Sequence, residues 1–134
     1  MANIGFIGLG IMGTPMAGNL IKGGHTVFTH THGDTPAVLL EAGAQPCTNG
    51  AEVARKADII ITMVPDTPHV EDALFNPEGV AAGLSAGKIV VDMSSISPVA
   101  TKDFAKRVNA LGCDYLDAPV SGGEVGAKAA SLTI

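Results

Sequence analysis

The sequence has no tryptophan, one tyrosine and four phenylalanines, so aromatic stacking cannot organise its interior. Valine, isoleucine, leucine and alanine must fill it, as in parallel sheets covered by helices on both faces. Charge is scarce too: 16% of residues are charged against 46% hydrophobic, and the formal net charge is -5. A nucleic-acid partner would need clustered lysine and arginine. The basic residues here are scattered, with Arg55-Lys56 and Lys106-Arg107 the only adjacent pairs. Both pairs fit solvated helix ends.

Cysteine is equally sparse. Cys47 and Cys113 match neither a disulfide framework nor a zinc spacing, and small buried thiols in a reducing compartment are expected. No apolar run reaches the ~20 residues of a membrane span. The opening Met1-Ala2-Asn3 lacks the basic stretch of a secretory leader. Together these absences argue against nucleic acid and membrane as partners and against a disulfide scaffold. They point to a cytoplasmic protein of one domain, since 134 residues suffice for one core.

Short apolar runs alternate with helix-period stretches, punctuated by glycine, proline, serine, asparagine and aspartate. Strands are expected over Ile4–Gly8, Thr26–His30, Asp58–Val64, Lys88–Met93 and Tyr115–Val120, with a short extended piece at Ala44–Cys47. Between them, Met12–Lys22 carries Met12, Met16 and Leu20 on one helical face, and Gly23-Gly24 stops it. Asp34 is expected to cap a helix that Gly43 ends, and Asn49 with Glu52 has capping-box-like spacing. Thr67-Pro68 opens a helix toward Phe75. Ser97-Pro98 opens another, whose buried face should be Val99, Phe104, Val108 and Leu111. Glu124–Ala130 is a further possible helix, and Ser131–Ile134 looks like the start of another strand. Such alternation predicts an α/β fold, a Rossmann-type doubly wound parallel sheet with right-handed crossovers.

The first strand runs into Gly8-Leu9-Gly10-Ile11-Met12-Gly13 and then a helix. That strand-turn-helix context gives the Gly-x-Gly-x-x-Gly pattern its meaning. Gly8 permits the tight turn, Gly10 lets the backbone approach a pyrophosphate, and Gly13 lets helix pack on strand. Free N–H groups and the helix dipole then favour phosphate. At the end of the second strand an NAD-selective site usually carries an acid on the ribose 2′-hydroxyl. Here Phe28-Thr29-His30-Thr31-His32-Gly33 has none before Asp34. Thr31 and His32 could hydrogen-bond a 2′-phosphate, yet no arginine clamps it, so NAD and NADP both stay open. His30 and His32 alternate along the strand with no third ligand beside them, so no metal site is expected.

Four blocks carry a more specific signal: Gly5 to Ala17, Met63-Val64-Pro65, Asp92 to Pro98, and Asp117-Ala118-Pro119-Val120-Ser121-Gly122-Gly123. In this order they resemble the β-hydroxyacid dehydrogenase family across essentially the whole chain. The stretch Ile61 to Pro68 leans toward its aldehyde-acid-reducing branch over the 3-hydroxyisobutyrate branch. Val64-Pro65 and Ser95 follow buried strands, at the edge where open α/β sheets bind ligands. The resemblance implies that the first pair lines the cofactor groove and that Ser95 sits near the nicotinamide ribose. Ser121, Gly122 and Gly123 offer backbone N–H groups and a hydroxyl, a cradle for a carboxylate. The resemblance implies that this loop anchors the acid end of a small hydroxyacid or aldehyde-acid substrate.

The family continues with a helical second domain, through which its members associate as homo-oligomers, and its catalytic lysine lies beyond Ile134. None of Lys22, Lys56, Lys88, Lys102, Lys106 and Lys128 matches that lysine's motif. These residues alone are therefore expected to bind a nicotinamide nucleotide without turning over. A non-catalytic dinucleotide-binding module is the other reading.

Overall fold

The computed structural model describes residues 1–134. Six strands are present: β1 (Asn3–Ile7), β2 (Thr26–His30), β3 (Gln45–Pro46), β4 (Ile59–Thr62), β5 (Ile89–Asp92) and β6 (Asp114–Asp117). Seven helices connect or follow them: α1 (Gly13–Lys22), α2 (Ala37–Ala42), α3 (Gly50–Lys56), α4 (Thr67–Phe75), α5 (Val80–Gly83), α6 (Pro98–Asn109) and α7 (Gly123–Ala129).

All strand pairs are parallel, in the order β3-β2-β1-β4-β5-β6. From β1 the chain steps outward to β2 and β3. It then returns through α3 to lay β4 on the other side of β1, with Ile4 opposite both Val27 and Ile59. The strand order therefore reverses between β1 and β4, and the crevice at that reversal is where open α/β sheets take ligands.

The alternation of side chains explains the two layers. Ile7, Ile60 and Val90 face α3 to α6 and pack with Val53, Leu74, Val80, Phe104 and Val108. Ile4, Phe6, Val27 and Ile61 point the other way, toward Met16, Ala17, Leu39 and Ala127 of α1, α2 and α7. Each fully buried Val, Leu or Phe contributes roughly 1.5–3 kcal/mol.

Most helix starts follow the sequence signals. The Asn49 side chain accepts from the Glu52 amide at 2.8 Å, Asp66 from Thr67 at 2.7 Å, and Ser97 from Ala100 at 3.4 Å. Several expectations fail for local reasons. Asp34 does not cap α2; Pro36 holds the N-cap position with no side-chain bond. Val99 and Leu111 are exposed, because Thr101, Phe104 and Val108 form the inward stripe of α6 and Leu111 lies past its end. The last strand stops at Asp117, where the Ala118 amide makes a final bond to the Asp92 carbonyl and Pro119 has no N–H to continue. Ser131–Ile134 gives only one antiparallel bridge, Thr133 with Ser121. The four-residue α5 has no side-chain cap and carries no sequence signal. Cys113 is buried, whereas Cys47 is only partly so. Arg107 is more than a solvated helix end, since its guanidinium lies 3.6 Å from the Phe75 ring centre. No helix is long and apolar enough to cross a membrane.

Candidate functional site

At the carboxyl edge of the sheet a groove of about 580 Å³ crosses the β1/β4 reversal. Its floor is the turn after β1. Gly8 has φ +98°, and a Cβ there would strike the Met63 carbonyl oxygen. A Cβ on Gly13 would strike the Gly8 carbonyl oxygen, so helix and strand close on each other only without one. Gly10 differs: nothing in the protein lies within 4 Å of its would-be Cβ. The fold needs Gly8 and Gly13; it does not need Gly10. The amides of Gly10, Ile11, Met12 and Gly13 make no hydrogen bond within the protein. α1 has no side-chain cap and no acid in its first turn. Unpaired donors and an uncompensated helix dipole make this turn an anion site.

Beyond β2 the groove is walled by Thr31, His32 and His30. The Thr31 hydroxyl accepts from the Leu9 amide at 3.2 Å, which ties the end of β2 to the glycine turn. His30 Nδ1 lies 3.3 Å from the Cys47 carbonyl oxygen. A carbonyl only accepts, so Nδ1 carries the proton and Nε2 is left for another partner.

The opposite wall comes from the ends of β4 and β5: Val64, Pro65 and Ser95. Beneath it lies a buried polar cluster. Asp92 Oδ1 accepts from the Thr62 hydroxyl at 2.9 Å and from the Ser94 amide at 3.1 Å. Ser94 Oγ in turn accepts from the Val64 amide at 2.9 Å. Burial pushes the Asp92 carboxyl above its usual range, against the opposing pull of its Ser94 and Thr62 donors. Burial, then the nearby charges of Asp92 and Asp117, pushes the Tyr115 phenol well up, so it stays protonated.

Gly8, Leu9, Gly10, Ile11, Met12, Gly13, Thr31, His32, Val64, Pro65 and Ser95 thus surround one groove. Ser121, Gly122 and Gly123 do not line it. The Ser121 amide is already bonded to the Thr133 carbonyl at 2.8 Å, which leaves that cradle to the two glycine amides and the serine hydroxyl. Sequence reasoning did not bring Asn49, His69, Asp72 or Glu78 to the site, yet all four line the groove. They come from separate segments, and only the Asn49 capping signal marked any of them.

No lysine lines the groove. Lys88 Nζ is held by the Ala54 and Arg55 carbonyls, Lys56 pairs with Glu52, and Lys128 pairs with Glu124 at 2.8 Å.

Comparison with known proteins agrees with this geometry. Residues 3–134 match the family described as the NAD binding domain of 6-phosphogluconate dehydrogenase. The chain is 54% identical over 131 residues to 2-hydroxy-3-oxopropionate reductase of Escherichia coli K12, covering 98% of this chain and 45% of that protein. It is 40% identical to the mitochondrial 3-hydroxyisobutyrate dehydrogenase of Mus musculus, covering 97% of this chain and 39% of that one. The solved structure of Psf3 in complex with NADP+ and 2-OPP superposes with a TM-score of 0.91 at 32% identity, covering 96% of this chain and 46% of that one. The chain therefore spans less than half the length of each of these proteins. Within that span, it belongs to the NAD-binding domain family of 6-phosphogluconate dehydrogenase and, inside it, to the β-hydroxyacid dehydrogenases.

Proposed function

We propose that these residues form the nucleotide-binding half of an NAD(P)-dependent oxidoreductase that reduces 2-hydroxy-3-oxopropionate to glycerate. The observation that carries the nucleotide part is Gly10. Its missing side chain faces open space, among amides that have no partner in the protein. A diphosphate seated there explains both facts at once.

The residues divide the ligand between them. The turn at Gly8–Gly13 holds the diphosphate, and Thr31 and His32 meet the adenosine ribose. Val64, Pro65 and Ser95 stand on the nicotinamide side, because β4 and β5 lie across β1 from β2. When bound, the cofactor supplies a hydride to the aldehyde carbon. Ser121, Gly122 and Gly123 are assigned to the substrate carboxylate by family resemblance. The choice of 2-hydroxy-3-oxopropionate over 3-hydroxyisobutyrate rests on the higher identity, 54% against 40%.

Reduction also needs a proton donor for the forming alkoxide. Every lysine here stands outside the groove. The 134 residues alone should bind nucleotide and not turn over. Calorimetric titration with NADH and NADPH, beside an aldehyde-reduction assay, tests this. Saturable binding with no turnover is expected; robust turnover would assign the proton donor wrongly, and no binding of either nucleotide would end the reading.

A further inference from the structure

We propose that Asp92 is a positioning residue whose buried carboxylate fixes the wall on the nicotinamide side of the groove, and so seats the redox end of the cofactor without touching it. The proposal rests on the nucleotide reading above.

The sheet does not require a carboxylate at this position. Thr62 and Asp92 already sit opposite each other in the β4/β5 ladder, where the Met93 amide donates to the Thr62 carbonyl. Asp92, Thr62 and Ser94 are 0%, 0% and 1% exposed. A buried charge is costly unless its partners give something back, and an apolar residue would serve the strand better. Oδ2 of Asp92 is buried with no hydrogen-bond partner beyond the neighbouring Tyr115 hydroxyl, itself otherwise unpaired, so Oδ1 carries the well-formed bonds of the cluster.

What the carboxylate alone provides is orientation. Oδ1 fixes the Ser94 amide, and so aims Ser94 Oγ at the Val64 amide. Two loops that end in groove-lining residues, Met63–Pro65 and Ser94–Ser95, are thereby locked to one buried atom. The adenosine side has separate supports: Thr31 bonds to Leu9 and His30 to the Cys47 carbonyl, and neither bond involves Asp92. Loss of Asp92 should therefore be felt at one end of the ligand only.

The test uses the 134-residue chain and three probes. NADH and NADPH report the nicotinamide end by fluorescence of the reduced ring, and ADP-ribose reports the other end by calorimetry. Asp92→Ala should weaken binding of the reduced dinucleotides about tenfold and abolish their fluorescence change, as expected for a lost hydrogen bond to a charged group. ADP-ribose affinity should stay within about twofold, inside the variation of an untouched contact. Asp92→Asn, which keeps an acceptor for Thr62 and Ser94, should restore most of the dinucleotide binding. Ser94→Ala removes the acceptor of the Val64 amide together with the hydroxyl beside Asp92, and should move the same way as Asp92→Ala, which keeps the test alive if the latter does not fold. Parallel loss of all three probes in Ser94→Ala, or unchanged dinucleotide binding, overturns the proposal. If the unaltered chain binds none of the three, the nucleotide reading fails first and carries this proposal with it.

Discussion

The glycine turn after β1 and the loop after β6 share a residue style and differ in state. Both set glycines ahead of a helix, three spaced ones in the first and an adjacent pair in the second. The first lies between two interior strands, its backbone fixed by Met63, Thr31 and its own helix, with four amides free for a ligand. The second follows an edge strand, lines no part of the groove and spends the Ser121 amide on Thr133. Around it Leu116 and Val125 are 55% and 81% exposed. Glycine content alone does not make an anion site; a rigid frame and unpaired donors do.

Four substitutions sharpen or break that contrast. The largest effect belongs to Gly13→Val, whose side chain would meet the Gly8 carbonyl. A stability loss of about 3 kcal/mol or more is expected by denaturant melt, and a midpoint like that of the unaltered chain would show the turn to be soft. Gly10→Val comes next and should separate binding from folding. Stability should stay within about 0.5 kcal/mol, while NADH affinity falls about tenfold or more, about 1.4 kcal/mol; undiminished affinity would remove Gly10 from the site. Thr31→Asp places a carboxylate at the ribose edge. It should lower NADPH affinity about tenfold relative to NADH, measured by paired titration, and an equal effect on both nucleotides would move the 2′-position elsewhere. Val125→Lys, beside the second loop, should change stability and nucleotide affinity by no more than about 0.5 kcal/mol. A response as large as that of Gly10→Val would erase the distinction between the two regions.

Much of the fold was legible because its signals are local. Gly8–Gly13, Asn49, Ser97 and the runs through Ile60 and Val90 each announce an element within a few residues, and the ends of two buried strands pointed to Val64, Pro65 and Ser95. What escaped depends on assembly. α5 is four residues long and shows no period. Val99 and Leu111 have the right composition for a buried stripe and the wrong phase or position on α6. His69, Asp72 and Glu78 reach the groove only in the folded chain, where the segment after α4 meets α3 and the Glu78 carbonyl accepts from the Ala51 amide. Asp92 opens one of the family-like blocks, but nothing local assigns it a task; its role comes from neighbours 30 and 2 residues away, Thr62 and Ser94.

The Asn19 side chain, near the far end of α1, donates to the Ala127 carbonyl at 2.7 Å. One amide thus straps the phosphate-facing helix to α7, the helix that follows Ser121. The second loop takes its bearings from α1 as well as from the edge strand before it. The spacing between the two glycine loops is thus held in part by a helix-to-helix tie that bypasses the sheet.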